Sequence, residues 1–377
     1  VNSINSALIV GGGIAGLTAA ISLARHGVSC DVVELRDQPA AGAGITLMGR
    51  AMDGLHELGV LNRCVEEGVA RSPQEVWRYY DGAGRPLPGP PMPPGPSTGL
   101  PQGLFIYRPA FASILRDAAK AAGARIRTGV GIRAVRQSEV GVTAVLTDGL
   151  QGSYDLVVGA DGVRSATRSL VFGDAVRPTY SGTTMLRWLV EDVPDVGPDG
   201  FYQESGTLVV LFRLLDGRMY LATGRNYVEK PRIGQDAARR MVTEILSAFS
   251  APLPAALRQR MTDDSTILVN DYDWLLTPDP WYRGRTLLIG DASHATTAHL
   301  ANGGAMAIED GVVLGQEVAA GGGVEEVLAR FMKRRFERTR LVVETSVEIG
   351  TMLQRGQPIS EQNALRARAL KALAAPY

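Results

Sequence analysis

SALIVGGGIAGLTAAISLARHGVSCDVVELR, Ser6 to Arg36, decides how the rest of the chain is read. Ala7 to Val10 is a short apolar strand, the glycines after it a turn, Ile14 onward a helix that Gly27 stops, and Cys30 to Leu35 a second strand. That order predicts a βαβ unit. Gly11, Gly13 and Gly16 fill the G-x-G-x-x-G pattern: the first makes the tight turn, the second lets backbone approach a pyrophosphate, and the third lets helix and strand pack closely. The pyrophosphate would rest on the amino terminus of the helix. Glu34 falls at the end of the second strand, where an acidic group accepts hydrogen bonds from ribose hydroxyls. The unit predicts a bound dinucleotide and leaves NAD and FAD both open.

Composition narrows the partners. The 377 residues are 45% hydrophobic and 21% charged, an ordinary globular composition long enough for two domains. Lys+Arg and Asp+Glu both total 39, so no broad basic field exists to hold nucleic acid or an anionic membrane. Lys333, Arg334, Arg335, Arg338 and Arg340 recur at helical spacing beside Glu337 and Glu344, which predicts a solvated helix face. Two cysteines, Cys30 and Cys64, give neither a disulfide framework nor a four-cysteine zinc site, and no metal is expected. With no apolar leader and no run of about 18 apolar residues, a cytoplasmic protein is expected.

Further along, the strand–helix alternation breaks after Leu61 into WRYYDGAGRPLPGPPMPPGPSTGLPQG, residues 77–103, which predicts an extended surface loop or a lid. YDLVVGADGVRSATR, Tyr154 to Arg168, is then another apolar strand running into small residues, with Asp161, Arg164 and Arg168 as polar groups where a phosphate-bearing ligand could be held. LLIGDASHATTAHLANGGAMAIEDG, Leu287 to Gly311, is a third strand, a Gly-Asp break, a loop of small polar residues and a Gly-Gly step into a helix. At that step, Gly303 and Gly304, free backbone N–H groups and the positive end of the helix can stabilise negative charge.

GGGIAG, VVGADGVRS and LLIGDASH with NGGAMAIED, in this order, resemble the flavin-dependent aromatic hydroxylases, the group whose archetype is 4-hydroxybenzoate hydroxylase. The resemblance runs from Ala7 to about Gln354. It implies an α/β fold: a Rossmann-like FAD-binding domain with an inserted, mostly antiparallel β-sheet substrate domain and a long carboxy-terminal helix. It implies FAD as cofactor, NADH or NADPH as electron donor, and O2 delivered through a flavin hydroperoxide to an activated aromatic or heteroaromatic ring. By the same resemblance Asp291 bonds the ribityl chain, the Asp161-Gly162 segment serves FAD and reductant, and Arg108 lies near the phosphate and ribityl region. Ile14, Ala15, Leu35, Arg36, Val130 and Gly290 complete the implied cofactor site. The chain departs from the pattern at Ala298, His299 and Asn302, where proline, an aromatic and glutamine are usual, and at Met48 to Arg50, where a proline-asparagine pair is usual.

The expected FAD-binding domain is discontinuous, 1–72, 104–176 and 268–354, with 73–103 and 177–267 as substrate domain. Val324 to Gln354 reads as a long amphipathic helix and 355–377 as a helical tail with a frayed end. Within the substrate domain Asp216-Gly217 predicts a two-residue hairpin turn. That register pairs Arg213 with Tyr220 and Leu211 with Ala222 on one face, and leaves Val210, Phe212, Leu214 and Leu221 on the other. Arg213 then either faces water or an internal carboxylate, or meets a substrate carboxylate, as a comparable strand arginine does in the archetype. His299 is expected beside the ring hydroxyl as base or hydrogen-bond partner, with a loop histidine bonded to backbone or water as the alternative. The expected partners are a small aromatic molecule, probed as a hydroxylated acid, and O2, in a monomer or homodimer. Two rival readings stand beside this one: another FAD enzyme on the same scaffold, such as a reductase or Baeyer–Villiger oxygenase, and a non-catalytic binding module.

Overall fold

The computed structural model describes residues 4–37, 43–71, 78–89, 95–97 and 99–377. Its first layer is a six-stranded sheet in the order Tyr282–Arg283, Thr286–Leu288, Leu156–Gly159, Ser6–Val10, Ser29–Glu34 and Arg125–Thr128. All neighbours are parallel except the short first strand. The central strands are near-continuous apolar runs because both faces are covered, as parallel sheets require. The helices Ile14–Arg25 and Gly303–Ala319 carry the covering apolar residues, including Leu17, Ile21, Ile308 and Val312, all fully buried. The three glycine-bearing loops all leave the carboxyl ends of strands in this one sheet, so they converge where such sheets bind ligands.

The second layer is a seven-stranded sheet built from Ile267–Trp274, Thr179–Val190, Met219–Asn226, Thr207–Arg213, Gly200–Glu204, Tyr79–Asp81 and Pro86–Leu87, in that order. The strand Ile267–Trp274 carries the inserted domain past residue 267, because its register with Thr179–Val190 runs to Trp274. Residues 79–81 and 86–87 of the proline-rich stretch form the sheet's edge, where Pro86 removes no interior ladder bond. The lid expectation for 90–94 and 98 lies outside the described residues.

The hairpin at Asp216 differs from the sequence expectation by one residue. Phe212 pairs with Tyr220 and Arg213 with Met219. The Leu214 amide donates to Arg218 and the Gly217 amide to Leu214, so the loop is Leu215-Asp216-Gly217, with Gly217 at φ +87°. A three-residue loop ending in a left-handed residue uses an Asp-Gly pair as readily as a two-residue turn does. The slip moves every side chain to the other face. Arg213 therefore does not share a face with Tyr220. Val210, Phe212, Leu214, Tyr220 and Ala222 instead share the face that packs on Phe105 and Ala43, while Val209, Leu211, Met219 and Leu221 join the core under the helices Gln235–Ser247 and Pro252–Gln259.

The basic run in the long helix Val324–Gln354 is not a solvated face either. Arg335 is fully buried, paired with Glu309 at 2.5 Å and Asp310 at 2.8 Å, and Arg338 bonds Glu309 at 2.7 Å. Arg340 alone among these arginines keeps to the exposed pairing with Glu337 and Glu344 that the sequence suggested. The expected tail is a docked helix, Ile359–Leu373. Its end is strapped rather than frayed: Arg50 donates to the Ala374 carbonyl, Arg338 to those of Leu373 and Ala375, and Arg334 to that of Tyr377. Arg50 belongs to the Met48-Gly49-Arg50 departure, which thus serves carboxy-terminal docking.

Candidate active site

The first strand-to-helix turn is held by Glu34, whose Oε2 accepts from the Gly12 amide at 2.7 Å and whose Oε1 accepts from the Arg36 amide at 2.9 Å. A carboxylate accepting one bond on each oxygen still has lone pairs for two hydroxyls. The helix Ile14–Arg25 has no side-chain cap at Gly13, and nothing lies within 4 Å of where a Gly13 side chain would begin. Free amides beside open space at a helix amino terminus form an anion cradle. Leu35 is exposed and Arg36 follows it at the rim, with Val130 buried beside the end of Glu34's strand.

Asp161 turns inward. Its carboxylate accepts from the Ser165 hydroxyl at 2.5 Å and from the Thr167 amide and hydroxyl at 2.9 and 3.0 Å. These bonds hold the loop. Arg168, buried, spends its guanidinium on the carbonyls of Val163, Val176 and Ala292. It joins the second motif to the third and leaves no donor aimed at a phosphate.

Asp291, by contrast, is reachable by solvent while protein surrounds it on most sides, as in a side chain lining a deep cleft. Burial raises its pKa, against the attraction of His294 and Arg108. Arg108, exposed at the start of the helix Arg108–Ala121, faces this carboxylate and also influences Tyr220. Behind Asp291 lies a buried support: Asp310 Oδ2 accepts from the Gly290 amide at 2.9 Å and pairs with His294 Nε2 at 2.6 Å, while Oδ1 takes Arg335. Neither Asp310 nor Arg335 was singled out as a site residue. The signal was available only as the ED in NGGAMAIED and one of the four arginines in the basic run.

His299 sits in the short turn Ala298–Leu300, with its ring against the long helix. Its Nδ1 is 2.8 Å from the Thr297 hydroxyl, and a side chain added at Gly350 would strike its Cε1 at 2.7 Å. Burial, with the Arg366 charge adding to it, brings its pKa down to about 4. An imidazole bonded to the Thr297 hydroxyl and packed on the long helix fits the loop-histidine alternative. The fold refuses a proton that the unfolded chain takes up below pH 6.5, so stability should fall from pH 6.5 towards pH 4. His299→Gln should flatten that decline in pH-dependent thermal melts; an unchanged slope would assign the decline elsewhere. Ala301 follows at φ +52°, and the helix Gly303–Ala319 begins without a side-chain cap, leaving its first amides free.

On the substrate sheet Arg213 donates to the carbonyls of Val193, Pro194 and Gly217 at 3.0–3.1 Å. That occupies the guanidinium with backbone of the hairpin loop and of the segment after the strand Thr179–Val190. Arg187, not Arg213, shares the face of Tyr220 and Ala222. It lies on the strand Thr179–Val190 opposite Ala222, donates to Asn270 Oδ1 at 3.0 Å and the Tyr272 hydroxyl at 3.3 Å, and its charge acts on the Tyr220 phenol. Among the described residues no carboxylate lies within ion-pair distance of it. Burial holds the Tyr220 phenol above its ordinary pKa despite Arg187 and Arg108, so it keeps its proton at neutral pH.

A family model described as FAD binding domain matches residues 5–346, and 3-amino-4-hydroxybenzoate 2-monooxygenase of Streptomyces cremeus is 31% identical over 88% of this chain and 83% of its own. The chain belongs to the FAD-dependent aromatic hydroxylases. Aurachin C monooxygenase/isomerase of Stigmatella aurantiaca is 30% identical over 92% of this chain and 89% of its own. The fold of Klebsiella pneumoniae HpxO, solved with FAD and uric acid, superposes with a TM-score of 0.81 at 22% identity, covering 98% of this chain and 95% of that one.

This hydroxylase is an FAD-dependent monooxygenase, and its cleft suits that cofactor. The uncapped amides at Gly13, the half-used Glu34 carboxylate, the open Asp291 and the free amides at Gly303 supply acceptors for hydroxyls and donors for anions. Among the described residues no helix is long and apolar enough to cross a membrane.

Proposed function

We propose that the enzyme takes electrons from NADH or NADPH and uses O2 to hydroxylate an activated aromatic or heteroaromatic ring that carries an anionic group. The observation that carries this reading is Arg187. A partly buried guanidinium with no carboxylate within ion-pair distance among the described residues, beside the phenols of Tyr220 and Tyr272, is a preformed receptor for an acid. Bound FAD supplies the redox chemistry, accepting electrons from the nicotinamide and activating O2.

The chain's own residues bind and orient. Gly11, Gly13, Ile14, Ala15 and Gly16 would cradle the pyrophosphate, and Glu34, with Leu35, Arg36 and Val130, would hold the adenosine end. Asp161 would act through its loop backbone, and Gly290 and Asp291 would hold the ribityl chain under the reach of Arg108. The amides at Gly303 and Gly304 would stabilise negative charge on the ring system. Tyr220, protonated, would donate a hydrogen bond to the ring, and Phe105, 5.8 Å from Tyr220 and 4.8 Å from Phe212, would help exclude water.

Asp291→Ala should purify with little FAD; full flavin content would remove Asp291 from the cofactor site. Arg187→Met should weaken the binding of a hydroxylated aromatic acid by about ten- to a hundredfold, read from the flavin absorbance change, since a charge-assisted bond is worth roughly 1.5–3 kcal/mol. Arg213→Met should bind the acid as the parent does. The proposal fails if no hydroxylated aromatic or heteroaromatic acid stimulates NADH or NADPH oxidation, and its anionic part fails if Arg187→Met leaves acid binding unchanged.

A further inference from the structure

The buried ion pairs behind Asp291 do not stop at Arg335. Glu309 accepts from Arg335 at 2.5 Å and again from Arg338 at 2.7 and 3.0 Å, and Arg338 passes on to the carbonyls of Leu373 and Ala375 at 2.8 and 3.0 Å. At the other end Arg335 donates to Asp310, whose second oxygen accepts from the Gly290 amide. Hydrogen bonds therefore run without a gap from the carboxy-terminal segment to the residue before Asp291. Glu309, Asp310 and Arg335 are all fully buried, so a partner that leaves is not replaced by bulk water.

A second route starts from Arg50. It donates twice to the Ala374 carbonyl, at 2.9 and 3.0 Å, and it comes two residues after the strand Gly44–Met48. Ile45 and Leu47 of that strand lie against Gly304: a side chain begun there would meet Ile45 at 2.8 Å and Leu47 at 3.1 Å. Arg50, Asn302, Glu309, Arg338 and Leu373 line one cavity of about 20 Å³, so the carboxy-terminal helix and the residue before Gly303 face each other across it.

The carboxy-terminal segment thus reaches both ends of the stretch from Gly290 to Gly304. Midway along that stretch Leu300 packs with Ile349 of the long helix and Ala369 of the last one. Among the described residues the buried nitrogens and oxygens of the Glu309, Asp310 and Arg335 side chains all have partners. A buried polar network satisfied in this way fixes one arrangement of everything it touches.

We propose that Arg338 and Arg50 are positioning residues for the cofactor, and that FAD binding and docking of residues 359–377 are coupled through them. The docked segment holds the loops at Gly290 and Gly304 in their binding geometry, and bound FAD holds the segment in place. Such coupling is reciprocal, so the two effects have the same size. Breaking the Arg338 link leaves Glu309 with Arg335 alone, draws that guanidinium away from Asp310, and so loosens the acceptor of the Gly290 amide. The proposal rests on the reading that Gly290, Asp291 and the amides at Gly303 and Gly304 border the flavin.

The test uses the full chain and two measurements: FAD affinity, by titrating flavin back into protein freed of it, and amide hydrogen exchange of residues 359–377 with and without FAD. FAD should slow exchange in that segment by about tenfold beyond any change in the helix Gln235–Ser247, which packs on the substrate sheet. Arg338→Met should weaken FAD binding by about tenfold and remove the extra protection. Arg50→Met should do likewise, and it decides the matter if Arg338→Met fails to fold, because the bonds it loses lie nearer the surface. Arg338→Lys, which keeps a charge beside Glu309, should recover part of the affinity. Arg340→Met, on the exposed side of the same helix, should leave both measurements at the parental values. Affinity is read at a temperature where each variant is fully folded, so lower stability alone does not produce the loss. The proposal is overturned if FAD protects residues 359–377 no more than Gln235–Ser247, or if either folded arginine variant, Arg338→Met or Arg50→Met, binds FAD as the parent does. Asp291→Ala separates the two ideas: if it loses flavin while the arginine variants retain it, the cofactor site stands and the coupling falls; if it keeps flavin, the site reading falls first and the coupling with it.

Discussion

Gly11→Ala should leave the protein without FAD, and much of it unfolded. Gly11 sits at φ +114°, a conformation L side chains rarely adopt, and a Cβ there would lie 2.2 Å from the Ala160 carbonyl oxygen and 2.9 Å from the Asp161 amide nitrogen. Those atoms are backbone of the neighbouring strand's loop, so neither can swing aside. Backbone strain of about 1–3 kcal/mol adds to an overpacking cost of about the same size. Together they approach the whole stability of an ordinary domain. Gly13→Ala is the instructive contrast, because Gly13 has φ −85° and open space at its Cβ. That variant should melt with the parent and yet bind FAD at least tenfold more weakly, since the open space is where the pyrophosphate would lie. Flavin content and thermal melts of the apoproteins check both. Full FAD in Gly11→Ala, or parental affinity in Gly13→Ala, would contradict this account of the turn.

Asp310→Ala should be the most damaging change outside the glycine turn. It removes the acceptor of three buried donors at once: the Gly290 amide, His294 Nε2 and Arg335 Nε. Breaking a buried pair from one side costs about 3–5 kcal/mol because the charge left behind has no solvent to turn to. Burial works against the Asp310 carboxylate, but attraction to His294 and Arg335 and the hydrogen bonds from His294 and Gly290 outweigh it and hold its pKa below the ordinary value. The stability this contributes is present above the unfolded carboxylate pKa and is lost as pH falls through the lower folded one. Denaturant melts at neutral pH should show the loss, and the melts of Asp310→Ala should depend less on pH in the acid range than those of the parent. Arg340→Met, which breaks only the exposed pairs with Glu337 and Glu344, should cost no more than about 1 kcal/mol. Equal losses in the two variants would deny the buried network its role. Because Gly290 precedes Asp291, Asp310→Ala should also lower FAD retention.

The cofactor half was legible because its signals are local. A strand, a glycine turn and a helix amino terminus are imposed by sterics within about ten residues, so the turn at Gly11 and the strand-to-loop break at Gly290 could be read before any packing was known. Asp161 shows what residue type alone leaves open. Its neighbours Ser165 and Thr167 can bond their own loop, and such local bonds compete with a ligand in a way that residue type alone does not reveal. Arg187 stood in plain view in TMLRWLV, but strand alternation says only which residues share a face, never which face meets a cleft.

What the sequence by itself determined, then, was the dinucleotide unit, the order of the three motifs and the class of chemistry they serve, all fixed by short-range geometry. The tertiary structure decided which charges are used. One extra residue in the loop Leu215–Gly217 turned Arg213 away from Tyr220, because strand side chains alternate and a slip of one exchanges the faces. Arg335 became core rather than surface because its partners Glu309 and Asp310 lie 26 and 25 residues earlier on another helix. Helical periodicity on one segment carries no information about what waits on the next, and the energy of a charge depends on that neighbour more than on its own position in the chain.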